Sequence, residues 1–537
     1  MHSFAAAPAV LVATAFALPL CYLRVKSIKV YHGIALVATV VAFTMTLHGY
    51  LHLLSQGRPV VYRMGGWPPP VGIVYEVDAM SALLAAYTAL VLVLITLYSS
   101  WYLEEDPGTP YYYSLLLGLE AGLLGIYYTG DIFNLFVMLE VLGITCYGLV
   151  AYYRSSREAV EASFKYAFFG AIAGLLYFTA AVLTYSSFGN LTMGFVAAAS
   201  RPLLRFLYPL ADVFMWGNIT GAAAAILALS LWTFTYKAGI FPNHFWLPDA
   251  HPAAPTPISA ALSGLVVNAG AYASIRFLYT VFGVYDSLST FYGLSPYFTA
   301  ILAGLGSVSA LFASVMMLIQ SDIKRLIAYS TVMHLGLIFT GVSLGTELGV
   351  RASIYHILTH ATGKALLFMS AGVAIELSGT RRIPELKAVG RLNPVVGASI
   401  LISSLSLVGL PPLSGFFSKF ALYQAYIESG RIELVAVLLV SSGIALFGYL
   451  KAVQPVVFGP PPVEAEVGAS KHRRPSLALT ISLATLLVLL VVLNPLLIDV
   501  ALARASESAM FPGEYVSKAM EALTEYLGGV QTPSLGG

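Results

Sequence analysis

Stretches of predominantly apolar residues, each long enough to cross a membrane as a helix, run through the whole of this chain. A membrane span needs about 20 such residues to cross roughly 30 Å of hydrocarbon. Of the 537 residues, 58% are hydrophobic and 10% are charged, whereas soluble domains carry about 25% charged residues. The sequence therefore predicts an all-α polytopic membrane protein of fourteen helices. The expected spans are 4–23, 30–53, 79–101, 111–129, 132–153, 160–184, 219–241, 255–280, 296–319, 324–345, 353–378, 393–427, 433–458 and 475–500.

Basic residues in the connecting loops predict the orientation in the cell membrane. Loops after odd-numbered spans hold fourteen Lys and Arg residues, and loops after even-numbered spans hold six. Because cytoplasmic loops carry the excess of Lys and Arg, both termini are expected on the outer side. The fourteen are Arg24, Lys26, Lys29, Arg154, Arg157, Lys324, Arg325, Arg381, Arg382, Lys387, Arg391, Lys471, Arg473 and Arg474.

Charge and cysteine content exclude several classes of protein. The net charge of +2 gives no basic footprint for nucleic acid. The two cysteines, Cys21 and Cys146, are too few to ligate an iron–sulfur cluster, and no nucleotide-binding motif is present. We therefore expect no cofactor and no active site in this chain, so that any redox chemistry belongs to another protein of the same assembly.

Ten ionisable residues interrupt the apolar spans. Each costs about 2.5–3.5 kcal/mol at the centre of a helix on insertion scales. Such residues usually face the interior of the bundle or a water path. Their number therefore favours a transport function over a purely structural one. They are Glu120, Glu140, Lys165, Lys237, His334, His356, His360, Lys364, Lys419 and Lys451.

Prolines are expected to break the seventh and twelfth spans. Pro242 follows Gly239 in the sequence Gly-x-x-Pro, and Pro412, preceded by Pro411, follows Gly409 in the same way. Proline removes an amide donor and clashes with the preceding turn, so each helix should open there. Backbone groups that lose their helical hydrogen bonds inside the membrane are tolerated only where protein or water provides new partners.

The recurrence of this break five spans later predicts two inverted repeats of five helices each, because an odd offset reverses the direction of the chain. In this arrangement Glu140 would match His334, and Lys165 would match Lys364. The expected divisions are helices one to three in 1–110, the first repeat in 111–281, the second repeat in 296–458, helix fourteen in 475–500 and a tail in 501–537.

His356, His360 and Lys364 are spaced four residues apart and share one helix face. Two histidines at this spacing can hold a metal ion, but no carboxylate or thiolate is near in sequence and the lysine would repel a cation. A proton relay is the preferred interpretation, since histidine titrates near neutral pH.

The tail is expected to contain a short helix over 514–527. Gly528 follows it as a stop signal. Two roles remain open for this helix, lying on the membrane surface or docking a partner protein. Its apolar face would be formed by Val516, Met520, Leu523 and Leu527.

Five motifs in order along the chain carry a family resemblance. They resemble the antiporter-like subunits of respiratory complex I, and more particularly the D-type component of multi-subunit Mrp-type Na⁺/H⁺ antiporters. The equivalent component of archaeal membrane-bound hydrogenases is also similar. The motifs are Thr129-Gly-Asp131-Ile-Phe-Asn134-Leu-Phe-Val-Met-Leu-Glu140, Lys237 through His251 to Ser259-Ala260, Asp322-Ile-Lys324-Arg325-Leu-Ile-Ala-Tyr329-Ser330, His356 to Phe368, and Gly409 to Lys419.

The resemblance implies a hydrated polar axis along the middle of the bundle. Glu140 would pair with Lys237, and Lys419 would be the terminal group facing the next subunit or the exit. The path between them would be continued by Lys165, His334, His356, His360 and Lys364.

Asn268 departs from the family pattern. Relatives usually carry Lys or His nine residues after the serine that matches Ser259, and an amide orients water but carries no charge. This residue puts the transfer from Lys237 to the second half in question. Glu120 is also unusual, since relatives tend to be apolar there, and it would serve either the ion path or a contact with a partner helix.

Three functions fit these observations. The leading one is a proton or Na⁺/H⁺ translocating subunit that is driven by a redox partner such as a hydrogenase or a quinone-reducing complex. The second is a component of a gradient-driven Na⁺/H⁺ antiporter. The third is a scaffold protein without pumping activity, for which Asn268 is the main argument. All three place the chain among other membrane subunits, and the first adds a soluble redox module.

Overall fold

The computed structural model describes residues 3–208, 217–386, 389–459 and 477–529. Lys387, Lys471, Arg473 and Arg474, which the sequence assigns to cytoplasmic loops, lie outside the described residues, as do the first two positions of the span expected at 475–500. The helices up to the first break are α1 (Ser3–Tyr22), α2 (Ile28–Gln56), α3 (Ala79–Tyr102), α4 (Thr109–Tyr128), α5 (Ile132–Val150), α6 (Arg157–Phe188), α7 (Met193–Ala199), α8 (Pro202–Leu207) and α9 (Ile219–Ala238).

The remaining helices are α10 (Leu247–Ala253), α11 (Thr256–Ala261), α12 (Val267–Ile275), α13 (Ser295–Ile319), α14 (Ile323–Val342), α15 (Glu347–Ser378), α16 (Val389–Leu392), α17 (Pro394–Val408), α18 (Ser414–Glu428), α19 (Ile432–Val453), α20 (Leu477–Val492), α21 (Pro495–Met510) and α22 (Gly513–Gly529). The π-helical segment Leu262–Val266 joins α11 to α12, and a second one, Arg276–Val281, extends α12. Together they form one 26-residue span, Thr256–Val281. A further π-helical segment, Gln454–Phe458, extends α19.

A small antiparallel hairpin departs from the all-helical expectation. Strand β1 (Val60–Arg63) pairs with β2 (Val74–Val77), with Val60 opposite Val77. Both strands are rich in valine and tyrosine, which favour extended backbone. Four-residue strands are much shorter than a membrane span, so the hydropathy pattern did not predict them.

Within the described residues, eleven helices are long and apolar enough to cross a membrane, or twelve if one bent pair counts as a span. The expected count of fourteen is therefore not confirmed. Helix α4 has tyrosines at both ends and Glu120 in the middle, and the two halves of the broken twelfth span, α17 and α18, have only 15 residues each. Because α4 is enclosed by protein, it has little need of an apolar surface.

The last expected span is bent. Helices α20 and α21 meet at an angle of 79°. Asn494 accepts a hydrogen bond from the Leu496 amide (3.0 Å) and Pro495 begins the second helix, so a straight helix cannot continue through this point. The tail helix α22 follows, and it buries Val516 and Met520 within this chain, with α7 and β1 as neighbours.

Two pairs of helices are built alike at their ends. Asp131 caps the N-terminus of α5 and Asp322 caps that of α14, each by accepting a backbone amide hydrogen bond. The backbone amide of Ile132, the residue after Asp131, donates to Leu191 O (2.8 Å), just beyond the end of α6. In the same way the amide of Ile323 donates to Arg381 O (3.0 Å), just beyond the end of α15. The next helices, α6 and α15, both contain 32 residues and both end at a glycine with φ of 71°.

The breaks are also alike. Helices α9 and α17 end at Gly239 (φ 65°) and Gly409 (φ 96°), which only glycine adopts readily, three residues before Pro242 and Pro412. Ion pairing gives the relative direction of the two sets. Arg381, just beyond the end of α15, is 3.5 Å from Glu158 at the start of α6, so these two helices run in opposite directions.

The helix ends correct the pairing of titratable residues that the sequence suggested. Counted from the caps Ser156 and Thr346, Lys165 matches Tyr355 rather than Lys364. Counted from Asp131 and Asp322, Glu140 matches Thr331 rather than His334. The expected pairs joined the titratable residues of corresponding spans, whereas this count compares positions by their distance from the helix ends.

A buried ion pair ties α3 to the span Thr256–Val281. Arg276 donates to both carboxylate oxygens of Asp78, at 2.6 and 2.8 Å, and both residues are almost fully buried. Burial alone would raise the pKa of Asp78, but Arg276 holds that pKa below its ordinary value. Burial raises the pKa of the neighbouring Glu76, on β2, well above the usual range. The two neighbouring carboxyls are thus shifted in opposite directions, because only Asp78 receives hydrogen bonds from Arg276.

Arg276→Gln should destabilise the protein by about 3–5 kcal/mol, because it leaves the Asp78 charge buried without a partner. The measurement is the melting temperature of the purified protein in detergent. The matched control is Arg382→Gln, which removes an exposed ion pair with Glu385 (3.1 Å) and should cost less than about 1 kcal/mol. Equal melting temperatures for the two variants would contradict the role of this pair.

Candidate functional site

Five of the predicted site residues lie together in the second half of the molecule. His334 comes from α14, His356, His360 and Lys364 from α15, and Lys419 from α18. Each of the five is at most 5% exposed. They are buried because α15 is enclosed by α11, α14, α17 and α18.

The histidine cluster, defined as His334, His356 and His360, is connected by short contacts. His334 Nδ1 lies 3.0 Å from His356 Nε2, and His356 Nδ1 lies 2.9 Å from the Ser418 hydroxyl. The rings of His334 and His360 have centroids 5.5 Å apart, but neither nitrogen of His360 has a hydrogen-bond partner among the described residues. The other nitrogen of His334 contacts the Tyr449 hydroxyl at 3.3 Å.

The two lysines among these five residues both donate to backbone carbonyls. Lys364 donates to Ile327 O (3.2 Å) and to the Ser330 hydroxyl. Lys419 donates to Val408 O (2.9 Å) and to Ser442 Oγ (2.9 Å). Val408 is the last residue of α17, where carbonyls have no partner within their own helix. The break in the twelfth span therefore provides an acceptor for a buried ammonium group.

The amides freed by the breaks are satisfied by hydroxyl groups. The Phe241 amide, beside Pro242, donates to Ser309 Oγ at 2.9 Å. The Gly415 amide, after Pro411 and Pro412, donates to Ser406 Oγ at 3.3 Å. The irregular backbone at both breaks thus finds hydrogen-bond partners within the protein, as a position inside a membrane requires.

In the first half, Lys237 and Glu140 are neighbours without forming an ion pair. Lys237 is 1% exposed, and its ammonium donates to Leu139 O at 3.2 Å instead of to the carboxylate. The Glu140 carboxylate packs against Gly174 of α6, where a Cβ atom would lie 2.4 Å from Oε1. Glycine at 174 therefore leaves the space that the carboxylate occupies. The direct pair implied by the resemblance is not formed between these two described residues, although the Glu140 carboxylate lies within electrostatic reach of the Lys237 ammonium.

Counted from the helix caps, several glycines of the first half occupy the positions at which the second half has titratable residues. Gly143 and His334 each lie twelve residues after their capping aspartate. A side chain at Gly143 would reach within 3.2 Å of Lys237 Nζ. By the same count from the caps of α6 and α15, Gly170 matches His360 and Gly174 matches Lys364. The two halves therefore place polar groups in similar positions from different helices.

Lys165 does not belong to the buried set. Its side chain is 42% exposed and pairs with Glu161 (2.7 Å) and Asp249 (3.3 Å). A 32-residue helix extends about 48 Å, well beyond the hydrocarbon core, and Lys165 lies near its N-terminal end. The residue lines a surface cavity of about 400 Å³ together with Arg325, which also pairs with Asp249 (3.1 Å).

Asn268 lies between the halves. It is buried, its amide nitrogen donates to Gly264 O (2.6 Å), and its carbonyl oxygen has no partner within the described part of the chain. Gly264 packs on the backbone of Ala361, the residue after His360, so the span of Asn268 touches α15 next to the histidine cluster.

Two further predicted residues are now placed. Glu120 is fully buried within this chain, so it does not face a partner helix, and both its oxygens lack a hydrogen-bond partner in the ranges that the structure describes. Lys451 donates to Leu318 O (2.7 Å) and Gln320 O (2.8 Å) at the end of α13, which is a structural role.

Sequence reasoning missed three residues of this region. His251 is fully buried, stacks on Phe368 and lies within electrostatic reach of Lys324 and Lys364. It stands inside one of the five motifs, so its position was available as a signal. Ser418 and Tyr449, which contact the histidine cluster, give no distinct signal in a single sequence because buried hydroxyls are common.

A polytopic helical bundle with a buried axis of lysine and histidine is the architecture of an ion-translocating membrane subunit. The family model described as "NADH:quinone oxidoreductase/Mrp antiporter, TM" matches residues 129–445, more than half of the chain. A second, "NADH-Ubiquinone oxidoreductase (complex I), chain 5 N-terminus", matches residues 69–113. The chain belongs to the NADH:quinone oxidoreductase/Mrp antiporter family, as its motifs predicted.

Relatives and solved structures agree with this assignment. The N-type component of the NADH-quinone oxidoreductase of Desulforudis audaxviator is 30% identical over 80% of this chain and 81% of its own. The D-type component of the Na⁺/H⁺ antiporter of Bacillus subtilis is 29% identical over 85% and 88%. A chain of the archaeal membrane-bound sulfane sulfur reductase has a TM-score of 0.84 at 29% identity, covering 97% of this chain and 100% of that chain. A chain of the Dietzia Mrp complex shares the fold, with a TM-score of 0.82 at 23% identity and the same coverage.

Gly174→Ala should leave folding intact and displace the Glu140 carboxylate, since the clashing atom is the end of a flexible side chain. If the carboxylate position matters, ion flux in vesicles should fall by about tenfold or more, the lower range for a misplaced proton-transfer group. Gly304→Ala on α13 is the matched control, because nothing lies within 4 Å of its added methyl group in the described structure. Wild-type flux in Gly174→Ala would show that the carboxylate position is unimportant.

Proposed function

We propose that this chain is the proton- or Na⁺/H⁺-translocating membrane subunit of a redox-driven complex related to complex I or to membrane-bound hydrogenases. The observation that carries the proposal is the buried contact between His334 and His356, with Lys364 and Lys419 on either side. Buried ionisable groups are costly in a membrane unless they serve a path for ions. Lysine and histidine side chains carry protons, so the path favours protons as the ion.

Translocation starts in the first half. A carboxylate near a buried ammonium stabilises the charged lysine, and protonation or movement of the carboxylate lets the lysine release its proton. Glu140 and Lys237 have this relation, and the contact of Lys237 Nζ with Leu139 O instead of with Glu140 supports an arrangement in which the carboxylate has moved away from the lysine. Coupled groups of this kind titrate together, so they act as one unit.

Transfer between the halves requires water. Asn268 Oδ1 and both ring nitrogens of His360 are buried polar atoms without partners in the described residues. Buried polar atoms are normally satisfied by protein or by ordered water. We infer that water beside Asn268 connects Lys237 to the histidine cluster, and that the amide orients this water without carrying charge.

The path then ends at Lys419. Its position at the break in the twelfth span, between Val408 O and Ser442 Oγ, supports the role of terminal group. Glu120 and Lys165 are not steps of this path. Glu120 has no charged neighbour within electrostatic reach in the described ranges, and Lys165 lies in an exposed ion-pair cluster.

We also propose that 111–281 and 296–458 are inverted repeats, preceded by 1–110 and followed by 475–500 and the tail 501–537. The matched caps, breaks and opposite directions of α6 and α15 support this division. For orientation, we propose cytoplasmic odd-numbered loops and both termini outside. The ion pairs of Asp249 with Lys165 and Arg325 join the ends of three odd-numbered loops on one face of the molecule, as this topology requires.

A gradient-driven Na⁺/H⁺ antiporter is the second candidate. The similarity to the D-type component of the Bacillus subtilis antiporter favours it, while the similarity to the sulfane sulfur reductase chain favours a redox partner. In either case the chain would sit among other membrane subunits.

Gentle extraction of the intact assembly, with identification of its proteins and iron and nickel analysis, separates the two candidates. Iron with large soluble subunits supports the redox-driven complex, and nickel indicates a hydrogenase. A metal-free assembly of small membrane subunits would overturn the redox proposal in favour of the antiporter.

Lys237→Ala should abolish ion translocation and leave assembly intact, because it removes the proton carrier of the first half. The measurement is ion flux in vesicles that contain the whole complex, with its protein content checked on the same sample. Lys451→Ala is the matched control, since Lys451 caps α13 away from the path. Unchanged flux in Lys237→Ala would refute the mechanism and favour the scaffold role.

Asn268→Lys should raise the flux or shift its pH dependence, because it places a titratable group where the path has only an amide. The flux is measured in the same vesicles across a range of external pH. Asn268→Gln is the control that keeps an amide. If the lysine variant neither raises the flux nor changes its pH profile, this span does not limit transfer between the halves.

A further inference from the structure

Tyr449 fills the interval between Lys364 and the histidine cluster. Among the described residues, Lys364 donates to Ser330 and to Ile327 O and has no hydrogen bond to a histidine. The Tyr449 hydroxyl lies 3.3 Å from His334 Nε2, and the centroid of its ring is 6.0 Å from Lys364 Nζ. The same hydroxyl lies close to Ser330, the residue that Lys364 contacts, while the Ser330 hydroxyl donates its own hydrogen bond to Ile327 O.

Ser418 has the corresponding position at the other end of the cluster. Its hydroxyl lies 2.9 Å from His356 Nδ1 and accepts a hydrogen bond from Thr359 Oγ1, also at 2.9 Å. It donates to Gly415 O at 3.1 Å, and the next residue in the chain is Lys419. Each end of the histidine contact therefore continues into a hydroxyl group. Water completes the connection from Ser418 to the Lys419 ammonium, which itself donates to Val408 O and Ser442 Oγ.

These hydroxyls are closed off from bulk solvent. Tyr449 is 1% exposed, and Ser330 and Ser418 are fully buried. A buried tyrosine hydroxyl usually finds a partner, but that requirement alone does not direct it to an imidazole nitrogen. Here three different helices, α14, α18 and α19, contribute the hydroxyls of Ser330, Ser418 and Tyr449 to the surroundings of the imidazoles.

We propose that Tyr449 and Ser418 are proton-carrying residues that link Lys364, the histidine cluster and Lys419 into one path. This inference rests on the proposed function and adds two residues to which the family resemblance assigns no role. Tyr449 is the connection on the Lys364 side, and Ser418 is the connection on the Lys419 side.

The transfer balances at every group. The Lys364 ammonium gives a proton to Ser330 Oγ. The Ser330 hydroxyl turns from Ile327 O and passes its own proton to the Tyr449 oxygen, which in turn passes its proton to His334 Nε2. His334 then releases a proton from Nδ1 to His356 Nε2, His356 releases one from Nδ1 to Ser418 Oγ, and Ser418 gives up its own proton through water to the neutral amine of Lys419. Lys364 ends as the neutral amine and Lys419 as the ammonium, each group between them accepts one proton and gives up another, and none is oxidised or reduced. Each imidazole exchanges its tautomer and must reset before the next passage.

The test is proton flux in vesicles that hold the complete complex with Tyr449→Phe or Ser418→Ala. Each substitution removes one oxygen and should lower the flux by about tenfold or more, as loss of a proton-transfer group does. Tyr449→His, which restores a group that both accepts and donates a proton, should recover part of the flux and alter its pH profile.

Two matched controls separate proton transfer from packing. Tyr426→Phe removes a buried hydroxyl that contacts Thr340 (2.7 Å), and Ser403→Ala removes one that bonds to carbonyls of its own helix. Both controls should keep wild-type flux, and melting temperatures of all variants report any loss of folding.

Three results are decisive. Low flux in the two path variants with normal controls supports the proposal. Normal flux in Tyr449→Phe and Ser418→Ala, when Lys364→Ala is inactive, overturns the two hydroxyl assignments and leaves the proposed function standing. Normal flux in Lys364→Ala as well would refute the proposed function itself.

Discussion

Charged and polar groups at membrane depth must be surrounded by protein or water, and this constraint shapes the molecule. The spans that carry Asn268, His334 and Lys364 are buried almost completely by their neighbours. The breaks at Gly239 and Gly409 obey the same rule, because serine hydroxyls accept hydrogen bonds from the backbone amides that have no partner within a helix there. The remaining helices form an enclosure whose outer surface is apolar, as lipid requires.

The two halves meet this constraint in different ways. In the first half, glycines on α5 and α6 leave room for Lys237 and for the carboxylate of Glu140. In the second half, the matching positions carry His334 and Lys364 themselves. Lys364 and Lys419 repel each other electrostatically across a cluster of imidazoles.

Much of this architecture could be predicted from hydropathy, because spans, breaks and buried ionisable residues depend on local composition. The predicted residues His334, His356, His360, Lys364 and Lys419 do lie together. Helical spacing predicted the shared face of the three on α15, whereas the family resemblance supplied His334 and Lys419. Predictions that depended on depth or register were less successful. Lys165 lies in an exposed ion-pair cluster near the N-terminal end of α6, and Glu140 matches Thr331 when helix ends are aligned. The Asp78–Arg276 pair joins residues 198 positions apart, a distance that periodicity cannot bridge.

Water between the halves is central to the proposed path, because Asn268 cannot carry charge. The most direct test is a map of the intact complex by electron cryo-microscopy at a resolution that shows ordered water. We expect water density beside Asn268 that reaches from Lys237 towards His360. Apolar packing without water density at this junction would contradict a continuous path through this chain.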